Sequence, residues 1–195
     1  MARAEVRPEQ ASEMPDAPRE IILAVTGGIA AYKSATIASR LVQSGNNVTA
    51  LLTDAATAFV GEATFAALTG RVVARKAFDT AYPLGAHIEL ARRAQLLVVA
   101  PATADFLAKA AHGIADDLLS TLYLCFTGPV LVAPAMNSEM WDKPAVQRNV
   151  QQLRADGVQF VDPEEGWLSC RQQGAGRMAD PEKILAAIQS LSANS

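Results

Sequence analysis

Three side chains in this sequence combine a reactive group with surroundings that would put it to use. His87 stands in Ala86-His87-Ile88-Glu89-Leu90, after the Pro83/Gly85 turn and at the start of a short helix. Imidazole gains and loses its proton near neutral pH, which suits acid/base catalysis. A lone histidine is also common as a packed surface residue, and the residue alone leaves both roles open. Cys170 lies in PEEGWLSCRQQGAGRMAD (163–180), which has neither helical nor strand periodicity. An irregular stretch longer than about 12–15 residues in a compact domain is a lid, a binding loop or disorder. Trp167, Cys170, Arg177 and Met178 weigh against disorder, and a thiol there can be reactive. Asn137 belongs to PAMNSEMW (134–141), directly after a buried strand. Met136, Met140 and Trp141 can be core filler beneath the turn. That account leaves unexplained a polar amide at a strand's carboxyl end, where it can hydrogen-bond a ligand.

A fourth feature suits an anion. Thr26-Gly27-Gly28-Ile29-Ala30-Ala31-Tyr32-Lys33 joins the first strand to a helix, and its glycine pair allows close backbone approach at a helix N-terminus. A G-x-G-x-x-G fingerprint fails after Gly28, and a P-loop fails because Lys33 stands where Gly is required. Contact with a phosphate or flavin and a purely structural turn are both open. Ligands of such folds bind at strand carboxyl ends, which also selects Thr53-Asp54, the stretch Pro101 to Asp105, and Pro134 to Asn137. Asp54 is an N-cap or a ribose-binding acid, and Asp105 an acid in a first helical turn. His112 precedes Gly113 at a helix end and needs no chemistry. Cys125, in the apolar run LYLCF, is expected in the core.

These residues are carried by short apolar runs that alternate with amphipathic segments. Strands are expected at 21–27, 47–53, 95–102, 129–135 and 158–162, with a further one at 72–78. Helices are expected at 30–44, 54–68, 103–126 with a break at Gly113, 143–156, and 181–192. Thr53 or Asp54 would cap the second. Several strands are apolar on consecutive residues, as strands covered on both faces must be. The pattern predicts an α/β, three-layer, doubly wound parallel sheet. Residues 1–19, with three prolines and alternating charge, are expected to form a disordered tail before one domain at 20–195.

Composition narrows the classes. The chain has 195 residues, 17 Lys and Arg against 20 Asp and Glu, and a formal charge of −3, with no basic cluster, so nucleic acid is not expected as a partner. Two Cys and two His cannot make a disulfide framework or a four-ligand zinc site, and no metal is expected. The N-terminal stretch lacks an apolar core, and no run approaches the ~20 apolar residues of a bilayer span. No membrane partner and a cytoplasmic location are expected.

Taken together, TGGIAAYK (26–33), HIELARRA (87–94), APATADFLAKAAHGIADDLL (100–119), PAMNSEMW (134–141) and GWLSCRQQGAGRM (166–178) resemble the flavin-containing cysteine decarboxylases across residues 21–190. The branch most similar decarboxylates 4′-phospho-N-pantothenoylcysteine to 4′-phosphopantetheine in coenzyme A biosynthesis. The resemblance implies a flavodoxin-like subunit that binds FMN at a trimer interface, with trimers assembling into a dodecamer. It implies that His87 is the active-site histidine and Cys170 the thiol of a substrate-covering flap. It also implies that Asn137 contacts the substrate carboxylate, with Ala135 and Met140 beside it. Gly27, Gly28, Ile29, Thr53, Thr103, Ala104, Asp105 and Ala135 fall in the flavin-contacting segments, and Asp105 stands where many members have Asn. About five residues follow the last helix, so a separate ligase is expected to supply the substrate.

The implied chemistry oxidises the substrate thiol to a thioaldehyde at FMN, loses carbon dioxide to an enethiol, and then returns hydride, with Cys170 protonating the adjacent carbon. Two other activities fit less well: oxidative decarboxylation of a C-terminal peptidyl-cysteine, which needs no reducing thiol, and a non-catalytic flavin-binding regulatory subunit, which would not retain His87, Asn137 and Cys170 together. Lys33 and Arg177 are candidates for the substrate phosphate by charge.

Overall fold

Runs of consecutive apolar residues become strands here because each strand is packed on both faces. The computed structural model describes residues 18–167, 171 and 173–192; nearly all of the 1–19 segment and Cys170 lie outside the described residues. β1 (Glu20–Val25), β2 (Asn47–Leu52), β3 (Leu96–Ala102), β4 (Val130–Pro134) and β5 (Gln159–Phe160) form one sheet ordered β2-β1-β3-β4-β5. Every neighbouring pair is parallel. This order is the flavodoxin-like doubly wound arrangement, with its switch point between β1 and β3.

Alternate residues of each strand enter opposite cores. Ile21, Leu23 and Val25 pack with Ile37 and Leu41 of α1 (Ala31–Gln43), Phe65 of α2 (Glu62–Thr69) and Ile184 of α8 (Pro181–Ser192). Ile22, Leu97 and Val99 pack on the other side. There they meet Leu90 of α3 (Ala86–Arg93), Phe106 of α4 (Ala104–His112), Leu122 of α5 (Leu118–Cys125) and Leu153 of α7 (Pro144–Ala155).

The expectations need six corrections. The 54–68 helix is a 3₁₀ turn (Asp54–Ala58) capped by the Thr53 side chain, followed by α2, because Gly61 is extended and restarts the helix. The 72–78 strand is one bridge, Leu51 to Ala74, and the 158–162 strand is paired only at Gln159–Phe160. An unforeseen short helix, α6 (Ser138–Trp141), precedes α7. The stretch without periodicity contains a hairpin, β6 (Glu164–Trp167) with β7 (Gln173–Arg177), whose antiparallel pairing rests on the backbone rather than on side-chain alternation. Finally, Cys125 is exposed, since Phe126 takes the inward position where the chain turns toward β4. The break at Gly113 is observed, with φ +67 closing α4.

One ion pair fastens the sheet's lower edge. The Arg71 guanidinium forks onto Glu20, at 2.6 Å to Oε2 and 3.0 Å to Oε1, and also donates to Thr49 Oγ1. The bond from Arg71 holds the Glu20 carboxyl below its ordinary value of 4.5. A depressed carboxyl stabilises the fold above that value and loses its contribution as the pH falls through the folded-state value. Glu20→Gln is therefore expected to cost about 1 kcal/mol near neutrality, roughly 2–4 °C in Tm for a domain of this size. The difference from the wild type should vanish in strong acid, which thermal melts across a pH series would check.

Candidate functional site

The switch point is held open by two hydroxyls. The register of β3 slips between Val99 and Ala102, which frees carbonyls that the ladder would otherwise use. Thr26 Oγ1 donates to Pro101 O (2.8 Å) and accepts from Thr103 N (3.1 Å), while Ser34 Oγ donates to Ala100 O. Both side chains are buried, so these bonds satisfy backbone groups that water cannot reach.

The two glycines that follow have different roles. A Cβ on Gly27 would lie 2.4 Å from Ala55 Cβ and 2.9 Å from its carbonyl carbon, so the fold itself requires glycine. On Gly28 it would meet only Thr103 Cγ2, at 4.0 Å, and would project into open space. α1 then begins with no side-chain cap, whereas Thr53, Thr103, Asp117 and Asn137 all cap the turns they precede. Within that first turn the amides of Ala31 and Lys33 bond to the carbonyls of Gly28 and Ala30, so an anion at this helix N-terminus would have to meet the rest of the turn.

Two clefts flank this turn and share Gly27 and Thr103. One, of about 400 Å³, is lined by Thr53, Asp54, Arg75, Asp105, Phe106 and Lys109 among others. Its neighbour, of about 420 Å³, is lined by Gly28, Ile29, Ala104, Ala135, Asn137, Met140, Trp167 and Gly176 among others. Every cofactor or substrate residue expected from the sequence and described here therefore borders one cleft or the other. His87 borders neither. It occupies the first turn of α3, where a Cβ on Gly85 (φ +96) would lie 3.2 Å from its ring, and its buried Nδ1 has no hydrogen-bond partner among the described residues.

Asn137 is oriented by the backbone. Its Oδ1 accepts from Met140 N (2.9 Å), capping α6, which leaves the amide NH₂ as the group free to meet a ligand. Met136 N, one residue earlier, donates to Gly176 O (3.0 Å), so β7 is bonded to the loop that carries Asn137. Trp167, 70% exposed, and Met140, 45% exposed, form the apolar rim rather than core filler.

Charge assignments differ from expectation. Lys33 is buried, and its ammonium donates to Asp180 Oδ1 (2.9 Å) and Met178 O (3.1 Å); Arg177 is paired with the same carboxylate. Hydrogen bonds from Lys33 and then Arg177 hold Asp180 below the usual carboxylate range. Both cations proposed for a phosphate are thus already paired. Lys109 contacts Asp105, Asp116 and Asp117 at 3.0–3.2 Å. Burial opposes its charge, but those carboxylates outweigh burial and raise its pKa.

Arg75 was not foreseen. It donates to Glu62 Oε1 (2.6 Å) and Asp54 Oδ1 (2.8 Å), and its buried Nε, beside the first cleft, has no partner among the described residues. Its residue type lay in a stretch read as strand, and only the failure of that strand exposes its role.

Comparison with known proteins gives this geometry a context. Residues 9–192 match the model of the family described as Flavoprotein. The Coenzyme A biosynthesis bifunctional protein CoaBC of Bacillus subtilis is 46% identical over 168 residues, which are 86% of this chain and 41% of that protein. Its namesake in Mycobacterium tuberculosis is 45% identical over 174 residues, 89% of this chain and 41% of that protein. The chain thus spans about two fifths of the length of these curated relatives. The FMN-dependent cysteine decarboxylase SpaF superposes with a TM-score of 0.78 at 35% identity, covering 91% of this chain and 98% of that one. A PPC decarboxylase mutant complexed with pantothenoylaminoethenethiol superposes at 0.81 with 28% identity, covering 90% and 98%. Since the family model extends through β1 to α8, and so through both clefts and the hairpin beside them, the chain belongs to the Flavoprotein family.

Proposed function

We propose that this chain binds FMN across the two clefts and decarboxylates 4′-phospho-N-pantothenoylcysteine to 4′-phosphopantetheine, as a cytoplasmic enzyme of coenzyme A biosynthesis. The observation that carries this reading is the convergence of the glycine turn, the Asn137 loop and the β6–β7 hairpin on one cleft. The residues present fit the cofactor: an uncapped helix start, a Gly28 with open space before it, and the buried, unpartnered Arg75 Nε all suit an anionic planar ligand. Gly27, Gly28, Ile29, Thr53, Thr103, Ala104, Asp105 and Ala135 would hold it. The identity with CoaBC supports the substrate, and the absence, among the described residues, of a helix able to cross a membrane is compatible with the location.

Direct loss of carbon dioxide from a cysteinyl carboxylate would leave an unstabilised carbanion. FMN, held by the residues named above, would supply reversible two-electron chemistry at the substrate thiol, an electron sink for the decarboxylation. The chain's own residues do the rest. The Asn137 amide donates to the substrate carboxylate and fixes its direction of departure. His87 moves a proton during the oxidative half. Cys170, outside the described residues, protonates the carbon next to the one that receives hydride.

His87 lines neither cleft of its own chain, so the reading requires a homo-oligomer, a trimer or a dodecamer built from trimers, in which it serves a neighbouring copy. Exposed Ile29 and Tyr32 beside the cleft and Phe78 and Leu84 near α3 are apolar surfaces that such an assembly would cover. A ligase activity that joins the phosphorylated pantothenate to cysteine would supply the substrate.

The test is anaerobic incubation of the yellow protein with the substrate and the mass of the product. Loss of carbon dioxide alone is expected. Additional loss of two hydrogens would replace the proposal with oxidative decarboxylation, as of a peptidyl-cysteine, and unchanged substrate would favour a non-catalytic binding protein. Cys170→Ser is expected to release carbon dioxide but stop at the enethiol with the flavin still reduced. Normal 4′-phosphopantetheine output from that variant would remove Cys170 from the mechanism.

A further inference from the structure

Asp180 ties together α1, β7 and the start of α8, of which α1 and α8 also pack through Ile37, Leu41 and Ile184. Its carboxylate accepts from Lys33 on α1 and from Arg177 on β7, and its main-chain carbonyl accepts from Lys183 N (3.0 Å) in the first turn of α8. Lys33 is only 9% exposed, and its second bond, to Met178 O, lies on the chain leaving the hairpin. A buried ammonium is costly unless paired, so Asp180 is needed wherever Lys33 stands. At the other end of this segment, Gly176 O accepts from Met136 N. The hairpin is therefore gripped on one side by the Asn137 loop and on the other by the helix that begins at the glycine turn.

This grip has a consequence for the proposed reaction, on which the following inference rests. While the substrate keeps its carboxylate, Asn137 can hold it. Once carbon dioxide has left, that anchor is gone, and the enethiol has two hydrogens fewer than the product; the corresponding two electrons and two protons are still held by the enzyme. Retention until they are returned falls to the hairpin.

We propose that Asp180 is a positioning residue that, through Lys33 and Arg177, keeps the β6–β7 hairpin closed on the cleft during the reductive half of the reaction. Two readouts on the FMN-loaded protein test this. Hydrogen exchange of the Gln173–Arg177 amides without substrate should be about tenfold faster in Asp180→Asn and return toward wild type in Asp180→Glu. The ratio of released enethiol to 4′-phosphopantetheine should rise by about tenfold in Asp180→Asn, with carbon dioxide release retained. Asp162→Asn, which breaks a surface pair with Arg154, should change neither. Arg177→Gln removes the outer partner while leaving Lys33 paired, and serves if Asp180→Asn does not fold. Unchanged exchange would overturn the clamp whatever the chemistry, and faster exchange with an unchanged product ratio would overturn its role in reduction. A wild type that releases no carbon dioxide would overturn the functional reading and the reductive role with it, while the exchange measurement would still decide the clamp.

Discussion

His87→Asn retains bound FMN yet loses carbon dioxide release by about 10²–10⁴-fold, the usual worth of a positioned acid/base group. Flavin retention is expected because Gly27, Gly28, Thr53 and Thr103, which would hold the cofactor, are untouched by the substitution. The substitution is also mild for the fold. The ring sits in the first turn of α3, and its Nδ1 has no hydrogen-bond partner among the described residues, so the substitution removes no bond at that atom. A melt near the wild-type Tm, an unchanged flavin spectrum and absent turnover would be the supporting result. Unchanged turnover would remove His87 from the mechanism. Mixing experiments add a sharper form: if His87 serves a neighbouring copy, co-assembly of His87→Asn chains with Asn137→Asp chains should recover part of the activity, since some clefts then receive both intact groups.

Gly176→Ala should reduce kcat/KM by about 100-fold while leaving the global fold intact, the scale of loss seen when a site is displaced by about 1 Å. Two independent obstacles act at this position. Its φ of +124° is a conformation that L side chains rarely adopt, and a Cβ would lie 2.4 Å from Met136 O and 3.3 Å from the carbonyl carbon of Asn137. Each costs about 1–3 kcal/mol. No rotamer change can relieve the contact, because the obstructing atoms belong to the backbone that aims Asn137. The hairpin must therefore move off the loop. Its strands form a separate two-stranded sheet, so the five-stranded sheet and both cores can remain as they are. Steady-state kinetics beside a thermal melt would check this, and wild-type kcat/KM would show that the hairpin contact is dispensable.

Much of the framework was readable from local pattern. β1, β3 and β4 are largely runs of consecutive apolar residues, and the breaks at Gly45, Gly113 and Gly157 fall where the helices end, because glycine's freedom at positive φ acts within a single turn. The glycine turn and the PAMNSEMW loop were likewise visible, since each lies at a strand's carboxyl end. The hairpin was not. Gly166, Gly174 and Gly176 remove the alternation that marks a strand, and its pairing is visible only when the two segments face each other. Cys125 was misplaced because an apolar run does not say which of its residues turns inward at a helix end.

The charged residues draw the clearest line between the two sources of information. Residue type and spacing established that Lys33 follows a glycine-pair turn at a strand's carboxyl end and that Arg177 and Asp180 follow a glycine-rich segment, because those are relations between near neighbours along the chain. Whether Lys33 faces a ligand or a carboxylate depends on Asp180, 147 positions away, and the two meet only after α1, β7 and the start of α8 have docked. The same holds for Arg75 beside the first cleft and for His87 outside both. Local sequence selects backbone conformation over a few residues, whereas the partner of a charge is set by the packing of distant elements, and that packing decided which groups are free to act.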